Sequence, residues 1–249
     1  MCLHVTMDIG AFVGNWTLEI KTSSVFPNAE YLLFEANAAH TEKLQAAGDP
    51  FVITLLGEAQ GETIYYKSAG ADWETHSGNS IFLENTNAFQ ANFSSEVRNV
   101  TTVDAVLRER SENEVHWDLI KLDVQGSELA VLKGAASLIE RCRPVLITET
   151  SLVPYNSGAP SFFDMHIFME SIGYILYNIV EVHYAYFSHR GCCSEHSPLD
   201  VLIQSDLLQV DILWIPREKS VHEFPSGRFT SPDLWNCSAI ARSPSPVEP

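Results

Sequence analysis

Residues 117–135 read WDLIKLDVQGSELAVLKGA. An apolar run, Leu119–Leu122, ends at Asp123. Gly126 supplies a turn, and Ser127 or Glu128 then opens a stretch with Leu129, Leu132, Ala136 and Ile139 at helical spacing. The pattern predicts a buried strand, a tight turn and an amphipathic helix over residues 127–139. The same order occurs near the start of the sequence. There, residues 3–9 are apolar, Gly10 and Gly14 follow, and residues 15–22 look helical.

Working outward, further strand-length apolar runs fall at residues 31–34, 51–56, 145–148, 174–179 and 211–215. Most are near-continuously apolar, as strands covered on both faces are. Helix-like stretches separate them at residues 40–47, at 103–110 with Thr102 as N-cap, and at 162–171 before Gly173. Alternation of this kind predicts an α/β fold with a parallel, doubly wound sheet. Such sheets bind ligands outside the carboxyl ends of their strands, so the strand-end residues are the informative ones.

Two regions break the alternation. Residues 57–99 are polar, and the pattern predicts a hairpin followed by a long loop containing SGNSIFLENT. From Arg217 onward the chain is rich in Ser and Pro. We expect one domain over residues 1–216 and a largely disordered tail over 217–249, with Trp235 docked on the body.

Bulk composition narrows the function. The chain has 249 residues, 45% of them hydrophobic, which is enough for one large domain. Lys and Arg number 15 and Asp and Glu 32, giving a formal net charge of −17. That charge disfavours nucleic acid and anionic membranes as partners. No apolar run approaches the ~20 residues of a membrane span, and no secretory leader is evident. Five cysteines, an odd count, fit a reduced cytoplasmic setting. The sequons at Asn15, Asn92, Asn99 and Asn236 then read as chance matches.

The first junction, MDIGAFVGNW at residues 7–16, has the form D-x-G-x-x-x-G. A dinucleotide loop needs a third glycine and a different spacing. Asp8 would also repel a pyrophosphate; at an effective dielectric of about 20, two unit charges 4 Å apart repel by ~4 kcal/mol. A cationic, phosphate-free ligand suits it better, and S-adenosylmethionine is one. Glu35, ending the second strand, is placed to accept ribose hydroxyls.

With these pieces in view, the sequence resembles the FkbM-type methyltransferases, a branch of the class I S-adenosylmethionine-dependent fold. The resemblance rests on DIGAFVGNWT, LLFEAN, SGNSIFLENT, TTVDAVL, DLIKLDVQGSELAVLKGA, ITETSLVPYNSGAP, GYILYNIVEVHY and DILWIPR, in that order over about residues 3–217. It implies a Rossmann-like seven-stranded sheet with the last strand antiparallel. It also implies methyl transfer to a hydroxyl of a small molecule or glycan, with S-adenosylmethionine as cofactor. Carried over by motif, Asp8, Gly10, Ala11 and Gly14 line the methionine end, and Glu35 and Ala36 hold the ribose. Glu58 stands at the adenine pocket, where members of the family often carry Asp. Asn79 and Ser80 lie in a loop that closes over the ligands, and Asp123 sits over the reacting centre. Candidate bases are Asp123, Glu128, Glu149 and His183, and Glu128 has an alternative role as an acid in the first turn of its helix. No metal is expected, because Glu149 is followed by Thr150 and Ser151 rather than an amide. HRGCCSEH (189–196) reads as a solvated loop, since adjacent cysteines do not match common zinc spacing. The competing readings are an NAD(P)-dependent oxidoreductase of similar topology and a catalytically silent binding module.

Overall fold

The computed structural model describes residues 5–22, 28–69, 79–83, 92–150, 158–183 and 209–219. These build a seven-stranded sheet and a three-stranded sheet. The large sheet contains β1 (Val5–Ile9), β2 (Glu30–Glu35), β3 (Phe51–Ile53), β7 (Leu119–Leu122), β8 (Val145–Thr150), β9 (Tyr174–His183) and β10 (Gln209–Pro216). Their order across it is β3-β2-β1-β7-β8-β10-β9. β10 runs antiparallel to both its neighbours, whereas the pairs from β3 through to β8 are parallel. The doubly wound sheet with an antiparallel last strand is thus present. Strand order reverses between β1 and β7, so the crevice expected of such a sheet lies beyond Ile9 and Leu122.

Period-two alternation assigns the faces. Met7, Ile9, Leu32, Phe34, Ile120, Leu122, Leu146, Ile212 and Trp214 point into one core. That core is closed by α3 (Val103–Glu109), α4 (Glu128–Gly134), α5 (Ala136–Cys142) and α6 (Phe162–Ser171). Tyr31 and Leu33 point to the other face, against Ile20 of α1 (Asn15–Thr22) and Leu44 of α2 (Thr41–Ala47). The caps follow sequence rules. Thr102 accepts from the Ala105 N–H, and Ser161 forms a capping box with Asp164. Gly173 follows α6 with φ of +77°.

Three expectations need correction. Residues 51–56 are not one strand. β3 ends at Ile53, and β4 (Leu55–Leu56) turns away to pair with β6 (Asn92–Thr101) in the small sheet. The hairpin does not precede the long connection but flanks it. Its first strand, β5 (Gly61–Ala69), pairs antiparallel with β6 on the far side of residues 70–91. The helix predicted over 127–139 is two helices, broken at Ala135. Asp104 explains the restart, because its carboxylate accepts from the Ser137 and Leu138 N–H groups and caps α5. The break rotates the apolar face, so Ala135 is buried and Ala136 exposed.

α4 packs directly on the backbone that follows β4. A Cβ at Gly134 would lie 2.0 Å from the Gly57 carbonyl oxygen. Arg217–Lys219 fold back on the body, where the Arg217 N–H bonds Gly173 and Glu218 pairs with Arg143. Trp235, HRGCCSEH and the rest of the tail lie outside the described residues. Among the described residues no helix is long and apolar enough to cross a membrane.

A Gly134→Ala substitution is therefore expected to lower the urea midpoint by the equivalent of ~1–3 kcal/mol through forced backbone displacement. Gly61→Ala, where an added Cβ meets nothing within 4 Å, should stay within ~0.5 kcal/mol of the parent.

Candidate active site

A cavity of about 330 Å³ opens at the carboxyl ends of β1, β2 and β7. That is within the range of small-molecule sites. Of the residues singled out by sequence, Gly10, Ala11, Glu35, Ala36, Asn79, Ser80 and Asp123 line it.

The loop after β1 is tied to β2. The Gly10 and Ala11 N–H groups both donate to the Phe34 carbonyl at 2.9 Å, and the Gly14 N–H donates to Ala11. Phe12, with φ of +54°, donates its N–H to Glu35 Oε2 at 2.8 Å. Gly10 is required for a close approach: a Cβ there would sit 1.7 Å from the Asp123 carbonyl oxygen. The other Glu35 oxygen accepts from the Asn37 N–H at 2.7 Å. Burial raises the Glu35 pKa, and the backbone N–H groups of Asn37 and Phe12 oppose the rise.

The second part of the site is a polar row on one face of the sheet. Asp8 and Lys121 are register partners across β1 and β7, and Glu149 and Asp211 are register partners across β8 and β10. All four side chains are buried. Lys121, Glu149 and Asp211 share that face with Leu119, Ile147 and Leu213, each two positions away on its own strand. The Lys121 ammonium lies 3.1 Å from Asp123, 3.9 Å from Asp8 and 6.0 Å from the centre of the Trp16 ring. Burial alone would lower its pKa, but Asp123, Asp8 and Asp211 hold it charged and raise it. Gln125, left-handed at φ +56°, donates through Nε2 to Asp123 at 2.9 Å and to Glu149 at 2.8 Å.

The carboxyls therefore differ in state. Burial works against the Asp123 carboxylate, yet Lys121 and hydrogen bonds from Glu149, Lys121 and Gln125 bring its pKa below the ordinary value. Glu149 is raised well above the usual range by burial and by the charge of Asp123. Glu128 is buried, and its Oε1 accepts from the Val124 and Gly126 N–H groups at 2.9 and 3.2 Å. It thus holds the turn, as its place in the first turn of α4 suggests, and burial lifts its pKa to about 7.

Several expected roles change. Asp8 does not line the cavity. It is fully buried, accepts from the Thr17 hydroxyl at 2.7 Å and faces Lys121, so the cation beside it belongs to the protein. Gly14 packs against Leu33, Leu44 and Ala47 instead of the cavity. Glu58 lies beyond the cavity, which reaches only to Leu56, and pairs with Lys133 at the surface. Glu149 is behind the wall, reached through Gln125. The His183 backbone pairs with Gln209 at the end of β9, and its side chain lies outside the described residues. Ser80 pairs with Tyr66 and donates its hydroxyl to the Gln125 carbonyl at 2.7 Å, which pins residues 79–83 against the cavity. Lys121, Gln125 and Asp211 were missed by sequence reasoning. The signal for Lys121 and Asp211 was present, as single charged residues in otherwise apolar strands. Among the described residues, no group of three His, Cys, Asp or Glu side chains is arranged to hold a metal ion.

This sheet, with its crevice at the β1/β7 switch point, is the Rossmann-like architecture of methyltransferases. The chain belongs to the family described as Methyltransferase FkbM domain, which it matches over residues 8–176. A solved methyltransferase FkbM from Methylobacillus flagellatus KT is similar with a TM-score of 0.50 and 14% identity, covering 85% of this chain and 43% of that one. The chain thus spans less than half the length of that structure. Precorrin-6y C5,15-methyltransferase from Geobacter metallireducens GS-15 aligns with a TM-score of 0.37 and 14% identity, over 85% of this chain and 79% of that one. Among curated proteins there is no match.

The raised Glu128 sets a pH dependence. The folded state holds this proton up to about pH 7, whereas the ordinary value is 4.5. Between those limits the folded form binds more protons, so its contribution to stability falls as pH rises. Relative to Glu128→Gln, the parent should lose ~2–3 kcal/mol between pH 4.5 and 7.5, measured by urea unfolding across that range.

Proposed function

We propose that the chain transfers a methyl group from S-adenosylmethionine to a hydroxyl oxygen of a small molecule or glycan. One observation carries the choice of cofactor. The N–H groups of Gly10, Ala11, Phe12 and Gly14 are all taken by oxygens of the chain itself. A dinucleotide site leaves such groups free to cradle a pyrophosphate. Glu35, Asp123 and Asp211 line the cavity with Lys121, which suits a cation and opposes a phosphate. The residues present therefore fit S-adenosylmethionine better than NAD(P).

In this reading Glu35 takes the ribose hydroxyls on the lone pairs its backbone partners leave open. Ala36, Thr54, Leu55, Leu56 and Tyr65 offer the apolar wall for the adenine, in place of Glu58. When bound, the cofactor supplies a methyl carbon on positively charged sulfur, which takes an electron pair from a nucleophile and leaves a neutral thioether. A hydroxyl must lose its proton as that happens. Asp123 is the group to receive it, because it lines the cavity and is held ionised. Glu149 does not line the cavity and supports Asp123 from behind its wall through Gln125. The 79–83 segment narrows the entrance and keeps water away. We keep the cytoplasmic setting suggested by the cysteines, the domain limit near residue 216, and an acceptor that is neither nucleic acid nor membrane.

Calorimetry on the full chain discriminates the readings. S-adenosylmethionine should bind, and NAD and NADP should not; dinucleotide binding without a response to S-adenosylmethionine would overturn the proposal. Once an acceptor is found by S-adenosylhomocysteine release, Asp123→Asn should lower turnover about 100-fold or more. Affinity for S-adenosylmethionine should weaken by about tenfold at most.

A further inference from the structure

Lys121 has no part in the motif reading, yet its ammonium is buried among the carboxyls of the site. It lies on a four-residue strand whose other members, Leu119, Ile120 and Leu122, are apolar. A lysine in such a place is costly unless paired, and it is conspicuously well paired. Its ammonium reaches Asp123 at 3.1 Å along its own strand and Asp8 at 3.9 Å across the ladder. The far side of Asp123 is held by the Gln125 amide, whose Nε2 also holds Glu149. Gln125 is kept in place by its left-handed backbone and by the bond from Ser80 to its carbonyl.

We propose that Lys121 is a positioning residue for the transfer: its ammonium keeps the Asp123 carboxylate charged and aimed into the cavity, while the Gln125 amide fixes the opposite oxygen and ties it to Glu149. The proposal rests on the methyltransferase reading above and deepens it. Without a cation beside it, Asp123 would lose its charge at a higher pH. The groups around it are Asp8 on β1, Glu35 on β2, Glu149 on β8, Asp211 on β10 and Glu128 on α4, all acids, with Lys121 as the cation beside it. Burial pushes Asp123 toward its neutral form, and Lys121 opposes it most strongly, with hydrogen bonds from Glu149 and Gln125 in support. During turnover the hydroxyl proton of the acceptor moves to Asp123 Oδ, which becomes neutral. It then passes to solvent, and the Lys121 ammonium restores the carboxylate.

Removing the lysine should move the loss of the Asp123 charge to higher pH. The sign is opposite to that of general damage at the two ends of the pH range. The probe is S-adenosylmethionine, titrated calorimetrically into the full chain from pH 5.5 to 8.5, with no acceptor and no turnover. Lys121→Met should bind about tenfold more weakly than the parent at pH 6, and at least as tightly at pH 8.5, where Asp123 ionises without help. Lys121→Arg should restore the parent profile. Equal weakening at every pH, or no change at pH 6, would overturn the proposal. Lys121→Met leaves Asp8 buried without its cation, so it can fail to fold. The paired variant Asp8→Asn with Lys121→Met removes both charges and should show the same displaced profile; a parent-like profile there would equally overturn it. If the parent itself binds no S-adenosylmethionine at any pH, the methyltransferase reading falls, a result distinct from failure of the Lys121 role.

Discussion

The end of the sheet is organised around one buried ammonium. Lys121 stands between the first strand and the strands beyond the switch point, with Asp8 on one side and Asp123 at its own strand end. Remove that charge in thought and Asp8 and Asp123 lose the ammonium that faces them both. They would have to protonate or repel. With the lysine present, one carboxylate at the cavity wall stays ionised and its neighbour stays neutral. The cavity wall keeps more acid than base, which in the proposed reading favours a positively charged ligand.

The glycine loop serves the same end by a different route. Its left-handed residues, Gly10, Phe12 and Gly14, turn the backbone so that its N–H groups face β2 and Glu35. The loop therefore resembles a phosphate-binding turn in sequence while lacking the open donors of one. Glu35 joins the two devices, since it closes the loop from below and faces the cavity from above.

Much of this was legible in the sequence, for physical reasons. Leu119–Leu122, Asn15–Thr22 and Phe162–Ser171 fall where apolar period and capping residues place them. Failures came where tertiary contacts decided. The turn from β3 into β4 depends on pairing with β6, some 45 residues downstream, and the break at Ala135 depends on Asp104. In the site, Asp123 and Glu35 were readable because strand ends face the crevice. Asp8 was misjudged because a sequence shows a charge but not its partner: its cation is Lys121, 113 positions later and adjacent only once β1 and β7 pair. Gln125 was unreadable, because its bridge requires Asp123 and Glu149 on neighbouring strands.

The central claim is that this cleft holds a cationic, phosphate-free cofactor with its ribose at Glu35 and its sulfur facing Asp123. A crystal structure of the full chain with S-adenosylmethionine tests it most directly. The account predicts ribose hydroxyls on Glu35, the sulfonium on the Asp123 side of the cavity, and the Gly10, Ala11 and Phe12 N–H bonds unchanged. A ligand seated elsewhere, or a loop that opens those three N–H groups toward the ligand, would contradict it.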